Sequence, residues 1–140
     1  MIPFVFHDGG RAAAGYRGVT HDCVCRSISI ATALPYAKVY ALINTFGRQE
    51  RQQRGRSTAG SGVRNATTRR IIQSLGGVWT PTMGIGTGCR VHLRAGELPS
   101  GRLVVSVSRH VAAVLDGVLY DTHDCSRAGS RCVYGYWRFS

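Results

Sequence analysis

The sequence lacks the features that would direct it into a membrane. No apolar run reaches the roughly 20 residues that a helix needs to cross a bilayer. The segment that follows Met1 has neither the basic start nor the long apolar core of a secretory signal. Its 140 residues, 44% of them hydrophobic, predict one folded domain over 1–140 and exclude a disordered chain. We therefore expect no membrane association and a cytoplasmic location.

Cysteine is sparse and irregularly spaced. The five cysteines are odd in number, which does not indicate a disulfide framework and favours a reducing cytoplasm. A zinc site is the alternative use for several of these residues, and its candidate ligands are His21, Cys23, Cys25, His123, Cys125 and Cys132. None of their spacings matches the Cys-x2-4-Cys or His-x3-5-His pairs of structural zinc sites. We expect neither a metal nor a cofactor.

Lysine is almost absent, so arginine carries the net charge of +11. Seven arginines lie between positions 48 and 70, where Glu50 is the one acid and glycine and serine recur. This composition predicts a flexible basic loop at about 47–64. Its candidate binding residues are Arg48, Arg51, Arg54 and Arg56. Such a loop attracts nucleic acid or an acidic protein; the alternative is a solvated surface loop, which the lack of interleaved aromatic residues favours.

Cys23 stands at the start of a predicted helix. It follows Asp22, and apolar residues then recur three to four apart, at Val24, Ile28 and Ala31. The free N–H groups and the positive dipole end of a helix favour an anion, so a thiol at this position ionises more easily. The alternative is a buried structural cysteine, a common state for a free thiol. Cys25 faces another side of the helix and is expected to pack.

A hairpin late in the chain supplies a second pair of candidate residues. Asp116-Gly117 between two apolar runs predicts a two-residue turn, in which Leu115 pairs with Val118. In this register His110 and Asp121 lie on one face of the sheet as diagonal neighbours, within side-chain reach of a hydrogen bond.

Cys23, His110 and Asp121 together have the chemistry of a nucleophile, its base and the carboxylate that orients the base. His123 lies opposite His110 in the same register, and it would replace His110 as the base if the hairpin slipped.

The remaining pattern places helices first and strands later, which is typical of an α+β fold. The predicted helices begin at Cys23 and cover 36–46 and 65–75, the last with Asn65 as its cap. The predicted strands cover 2–6, 78–81, 103–107, 111–115, 118–122 and 133–139.

The Asp-Cys pair at a helix start, followed late in the chain by His-x-x-Ala-Val-x-x-Gly-x-x-x-Asp, resembles the papain-like cysteine peptidase superfamily. It is most similar to small members encoded by bacteriophages and other mobile elements. The resemblance covers the helix near the N-terminus and the C-terminal sheet. It implies a papain-like fold, with N-terminal helices packed on a C-terminal antiparallel sheet, and a location in the host bacterial cytoplasm.

The resemblance also implies a mechanism. Cys23 would be the nucleophile, His110 the general base and Asp121 the orienting acid of a hydrolase that cleaves peptide or protein substrates through an acyl-enzyme. Deamidation, amide hydrolysis and acyl transfer use the same residues and stay open. Superfamily members often carry a Gln before the cysteine as an oxyanion donor, and 15–20 contain none. The Cys23 backbone N–H, with another amide, Thr20 or Arg17, would take that role.

A second function, of a different class, stays open as well. The chain would then be a non-enzymatic basic phage protein that keeps the papain-like shape as a scaffold and binds nucleic acid or an acidic host protein through its arginine loop.

Overall fold

A computed structural model describes residues 1–51 and 54–140. Within them the chain forms three helices and six strands. The helices are α1 (Cys23–Thr32), α2 (Tyr36–Arg48) and α3 (Asn65–Ser74). The strands are β1 (Phe4–Phe6), β2 (Val78–Pro81), β3 (Arg102–Val107), β4 (His110–Leu115), β5 (Val118–Asp121) and β6 (Gly135–Phe139). The predicted α+β class is confirmed.

The six strands form one mixed sheet in the order β1-β5-β4-β3-β6-β2. All pairs are antiparallel except β1 with β5, which is parallel. The expectation of a C-terminal antiparallel sheet is therefore wrong at this edge. The hairpin with β4 leaves the outer edge of β5 unpaired, and the N-terminal strand satisfies its backbone groups. The N–H of Leu119 donates to the Pro3 carbonyl at 2.8 Å, and that of His7 donates to the Asp121 carbonyl at 2.9 Å.

The β4–β5 hairpin has the predicted turn and register. Leu115 pairs with Val118, and the two turn residues, Asp116 and Gly117, have φ of 48° and 81°. Positive φ at both central positions gives the turn whose twist matches that of the flanking strands. The register that brings His110 towards Asp121 is thus fixed by a local signal.

Both faces of the sheet are covered. The three helices cover one face, where Ile28, Val39 and Ile71 pack with Val104 of β3. Loops between β2 and β3 and between β5 and β6 cover the other face, and Leu93 and Val133 from these loops are fully buried against the sheet. Because successive strand residues point to opposite faces, β3 contributes to both cores.

A disulfide joins the two loops of the second face. Cys89 and Cys132 are bonded, with their Cα atoms 5.8 Å apart, within the usual range for a bridge. The expectation, drawn from the odd cysteine count, that the chain has no disulfides is therefore wrong for this pair, which the fold brings together across 43 residues of sequence. Cys23, Cys25 and Cys125 remain free thiols. None of the helices in the described ranges is long and apolar enough to cross a membrane; the cytoplasmic location stays a prediction.

Candidate active site

Cys23 is the first residue of α1 and is half-buried. One turn further along α1, the Ser27 hydroxyl lies 2.5 Å from the Cys23 carbonyl and 3.0 Å from the Val111 carbonyl of β4. Ser27 therefore ties the start of the helix to the strand that carries His110. The N–H groups at a helix start have no acceptor within the helix, so the Cys23 amide is available to a bound oxyanion.

His110 and Asp121 meet as the hairpin register predicts. His110 Nε2 lies 2.7 Å from Asp121 Oδ2, and the Asp121 side chain is 1% exposed. Because Asp121 occupies Nε2, Nδ1 is the ring nitrogen left for a thiol. The structure thus brings the three predicted residues together at the junction of α1 with β4 and β5.

The electrostatics of this group favour the ionised thiol. Burial by itself would raise the pKa of Cys23, but hydrogen bonds with His110 and the Val111 backbone, with the charges of His110 and Arg26, hold that pKa below its ordinary value. Burial would lower the pKa of His110, yet its hydrogen bonds with Asp121, Cys125 and Cys23 raise it to about 11. A thiolate paired with an imidazolium follows from both shifts.

Asp121 stays ionised for related reasons. Burial opposes its charge, but the hydrogen bond and charge of His110, the Thr122 amide and the charge of Arg26 lower its pKa to about 2. The carboxylate is therefore available at neutral pH to hold the imidazole ring.

Arg26 links α1 to Asp121 of β5 and is not among the predicted site residues. Its guanidinium donates to Asp22 at 2.5 Å and to Asp121 at 2.9 Å, and its side chain is 9% exposed. The Tyr36 hydroxyl donates to the other oxygen of Asp22 at 2.7 Å. Asp22 precedes α1 but makes no side-chain cap, because both of its oxygens are used in this network. The spacing of Asp22 and Arg26, four apart on a helix, is the sequence signal for the pair.

The other cysteines and histidines near the site have separate places. Cys25 is fully buried, and burial raises its pKa to about 12, in agreement with the predicted packing role. Cys125 is buried and hydrogen-bonds with His110. His123 is exposed, with its ring centre 5.4 Å from that of His110. His110 rather than His123 thus contacts the carboxylate.

His110, Asp121 and Cys125 also form the one group of possible metal ligands in the described ranges, with ligand atoms within 4.8 Å of one another. Of the zinc ligands that the sequence suggests, this set contains only Cys125. Cys132 is not available as a ligand, because it is bonded to Cys89. Both carboxylate oxygens of Asp121 are already used, one by His110 and one by the Arg26 cation. The arrangement favours an ion pair over a metal site.

A cleft of about 640 Å³ opens at Cys23 and His110, a volume in the range of ligand pockets. Trp79, Tyr134 and Trp137 form an aromatic wall. Trp79 packs closely over Gly135, where an added Cβ would come within 2.3 Å of the indole. The remaining lining residues are His21, Val24, Gly62, Val63, Asn65, Thr68, Arg69, Ser106, Val107, Arg109 and Val111.

The predicted basic loop lies beside the site, and Arg48, Arg51, Arg54 and Arg56 are not among the cleft residues. Buried Glu50 anchors the loop: it accepts the Ser57 amide at 2.8 Å and the Thr67 hydroxyl at 2.5 Å. Gly47 allows the Ser57 backbone to pack on α2, since a Cβ there would lie 1.9 Å from the Ser57 carbonyl oxygen. The end of the loop, Gly62 and Val63, forms part of the cleft wall.

The same loop changes the predicted start of α3. Arg64 occupies the cap position and Asn65 is already helical. The Arg64 amide donates to the Ser57 hydroxyl at 2.8 Å. The prediction of Asn65 as the cap is therefore wrong: Arg64 makes no side-chain cap, and Ser57 instead holds the backbone of the cap residue.

The chain matches no protein-family model, no curated protein and no solved structure. The structure defines an α+β protein in which a thiol and an imidazole line one cleft and a buried carboxylate contacts the imidazole.

Proposed function

We propose that the protein is a papain-like cysteine hydrolase that acts through an acyl-enzyme, and that its substrates are peptides or proteins. The observation that carries the proposal is the chain of contacts from the Cys23 thiol through His110 to Asp121, at the edge of a cleft. A thiolate, a proton donor and an orienting carboxylate are the parts that such a reaction requires.

In the first half of the reaction, the Cys23 thiolate attacks the substrate carbonyl carbon and forms a C–S bond. The His110 imidazolium protonates the leaving amine as the C–N bond breaks, which leaves a thioester on Cys23. Asp121, hydrogen-bonded to the other ring nitrogen, holds the imidazole in the required orientation and stabilises its cation.

In the second half, neutral His110 takes a proton from water as the water oxygen attacks the thioester carbon. The C–S bond breaks, a carboxylic acid leaves, and Cys23 and His110 return to the thiolate–imidazolium pair. The Cys23 backbone N–H points out of the start of α1 and is the first oxyanion donor. Thr20, an alternative donor, has its hydroxyl 3.2 Å from the Gly60 carbonyl.

The test is the pH dependence of Cys23 alkylation by iodoacetamide, with the modified residue located by mass spectrometry. In the wild type, we expect reaction well below the pKa of a free cysteine, roughly 8.5. In His110→Ala, the Cys23 thiolate should form, and alkylation should begin, only as the pH approaches that free-cysteine pKa. Cys25 in the same digests serves as the internal control, because it is fully buried.

An ordinary titration of Cys23 that His110→Ala leaves unchanged would refute the proposed pair. If instead Cys23 reacts at low pH and His110→Ala removes this reactivity, the next step is a search for substrates with peptide, ester and amide libraries. Cys23→Ala is the inactive control in that search. This second step separates peptidase activity from deamidation and acyl transfer.

A further inference from the structure

We infer that the cleft beside Cys23 selects an acidic peptide, with a carboxylate side chain held by Arg69 and Arg109 next to the bond that is cleaved. This inference rests on the proposed function and adds the substrate class. It concerns two arginines outside the predicted basic loop, which the reaction itself does not use.

The charge of the cleft is one-sided. Arg69 and Arg109 both line it and are exposed, and no acidic residue is among the described residues that line it. Among the described residues, neither arginine side chain forms an ion pair with a carboxylate. A cleft lined by charge of one sign and by apolar walls concentrates ligands of the opposite charge.

The position of Arg109 adds to this argument. Arg109 is the second residue of the two-residue turn between β3 and β4, directly before His110, and its φ is 57°. A left-handed backbone favours glycine or asparagine, so arginine is an unfavourable residue for this turn. Unfavourable backbone of this kind is common at functional sites, and here it presents a guanidinium at the cleft next to the proposed base.

The cleft suits a peptide better than a nucleic acid. Nucleic acid binding depends on many phosphate contacts made together, whereas two arginines of the described part of the chain line the cleft. Its aromatic wall is packed on itself, with the Trp79 and Trp137 ring centres 4.5 Å apart, so these rings are not separate platforms on which successive bases can stack.

The first experiment compares Cys23 alkylation by anionic iodoacetate and neutral iodoacetamide in the wild type and in Arg69→Gln/Arg109→Gln. In a water-like dielectric, a unit charge at a separation of about 7 Å from an anionic reagent changes the rate about threefold. The iodoacetate-to-iodoacetamide rate ratio should therefore fall about threefold for each arginine removed. Lys38→Gln/Arg90→Gln is the matched control, since it removes the same charge from exposed positions outside the cleft. A ratio that falls equally in both double variants overturns the inference.

The second experiment does not depend on the reaction. Fluorescein-labelled Ala-Ala-Glu-Glu-Ala-Ala and its Gln-Gln counterpart are titrated against Cys23→Ala protein, with anisotropy as the readout. The Glu peptide should bind at least tenfold more tightly, and this preference should be lost in Cys23→Ala/Arg69→Gln/Arg109→Gln. Equal binding of the two peptides overturns the inference. Tighter, Arg69- and Arg109-dependent binding of a labelled hexathymidine also overturns it, in favour of a phosphate ligand.

The two readouts distinguish the two ways of being wrong. An unreactive Cys23 with a preserved Glu preference contradicts the proposed hydrolase and supports the acidic ligand. Suppose instead that Cys23 is reactive, but that replacing Arg69 and Arg109 changes neither the iodoacetate-to-iodoacetamide rate ratio nor peptide binding. This result contradicts only the acidic ligand.

Discussion

Replacement of Arg26 by glutamine should destabilise the protein far more than loss of an ordinary arginine. Arg26 is the buried cation between Asp22 and Asp121, which are 2% and 1% exposed. Without it, two buried carboxylates lose their shared countercharge. Asp22 keeps its hydrogen bond from Tyr36, and Asp121 keeps those with His110 and the Thr122 amide.

The expected loss follows from the cost of an uncompensated buried charge. Removal of one partner from a buried ion pair typically costs about 3–5 kcal/mol. Because Tyr36 and His110 still contact the two carboxylates, the loss for Arg26→Gln should lie near the lower end of this range. We expect its free energy of unfolding to fall by about 3 kcal/mol. Domains of this size have about 5–15 kcal/mol, so the variant should fold. Its melting temperature should fall by about 10 °C.

Urea unfolding at pH 7 of wild type, Arg26→Gln, Asp22→Asn and the double variant measures this coupling. The double variant should be more stable than Arg26→Gln by about 1 kcal/mol or more, because it no longer buries the Asp22 charge without the Arg26 cation, whereas Asp121 keeps its ion pair with His110. Arg127→Gln, at an exposed position, is the control and should change stability by no more than about 0.5 kcal/mol. Losses in the two single variants that simply add would refute the proposed network, as would an Arg26→Gln loss equal to that of the control.

Four further predictions use other parts of the structure. Asp121→Asn should slow Cys23 alkylation by iodoacetamide at pH 7 at least tenfold, because the imidazolium loses the carboxylate that raises its pKa; an unchanged rate would count against the triad. Glu50 has a lowered pKa in the folded state, where hydrogen bonds with Ser57 and Thr67 outweigh burial. The stabilisation from the Glu50 carboxylate is therefore present above its unfolded pKa of about 4.3 and is lost as the pH falls through the lower folded pKa. In urea unfolding at pH 7, Glu50→Gln should be less stable than the wild type by about 1–3 kcal/mol. This difference in stability should shrink below about pH 4. Alkylation of unreduced, denatured protein should label the three free thiols, and labelling of all five cysteines would contradict the Cys89–Cys132 bridge. If the arginine loop binds nucleic acid, binding of a labelled oligonucleotide should weaken steeply with salt and in Arg51→Gln/Arg54→Gln/Arg56→Gln, and insensitivity to both would remove that alternative.

The features that the sequence predicts correctly depend on local signals. Asp116-Gly117 sets the hairpin turn, and the turn sets the register that brings His110 to Asp121. The apolar repeat after Cys23 likewise places that residue at a helix start. In both cases the residues that determine the structure are close together in the sequence. Contacts between neighbouring side chains and backbone sterics are therefore enough to predict it.

The features that the sequence does not predict depend on pairings between distant segments. Nothing local marks Cys89 as the partner of Cys132, or β1 as a parallel neighbour of β5. Arg26 illustrates the same difficulty for the site. Its spacing from Asp22 is typical of an exposed helical pair, and only the docking of α1 on β5 makes it a buried bridge to Asp121.

The docking of α1 also determines how the thiol meets the imidazole. Arg26 and Ser27, consecutive residues about one turn after Cys23, reach Asp121 of β5 and the Val111 carbonyl of β4. These two contacts hold the helix start against the hairpin without any help from the thiol. The geometry of the site is therefore set by its supporting residues, as precise sites require. Cys23→Ala should accordingly abolish turnover while it leaves both contacts, and the free energy of unfolding, close to those of the wild type. A large loss of stability in that variant would mean that the Cys23 thiol itself holds the helix in place.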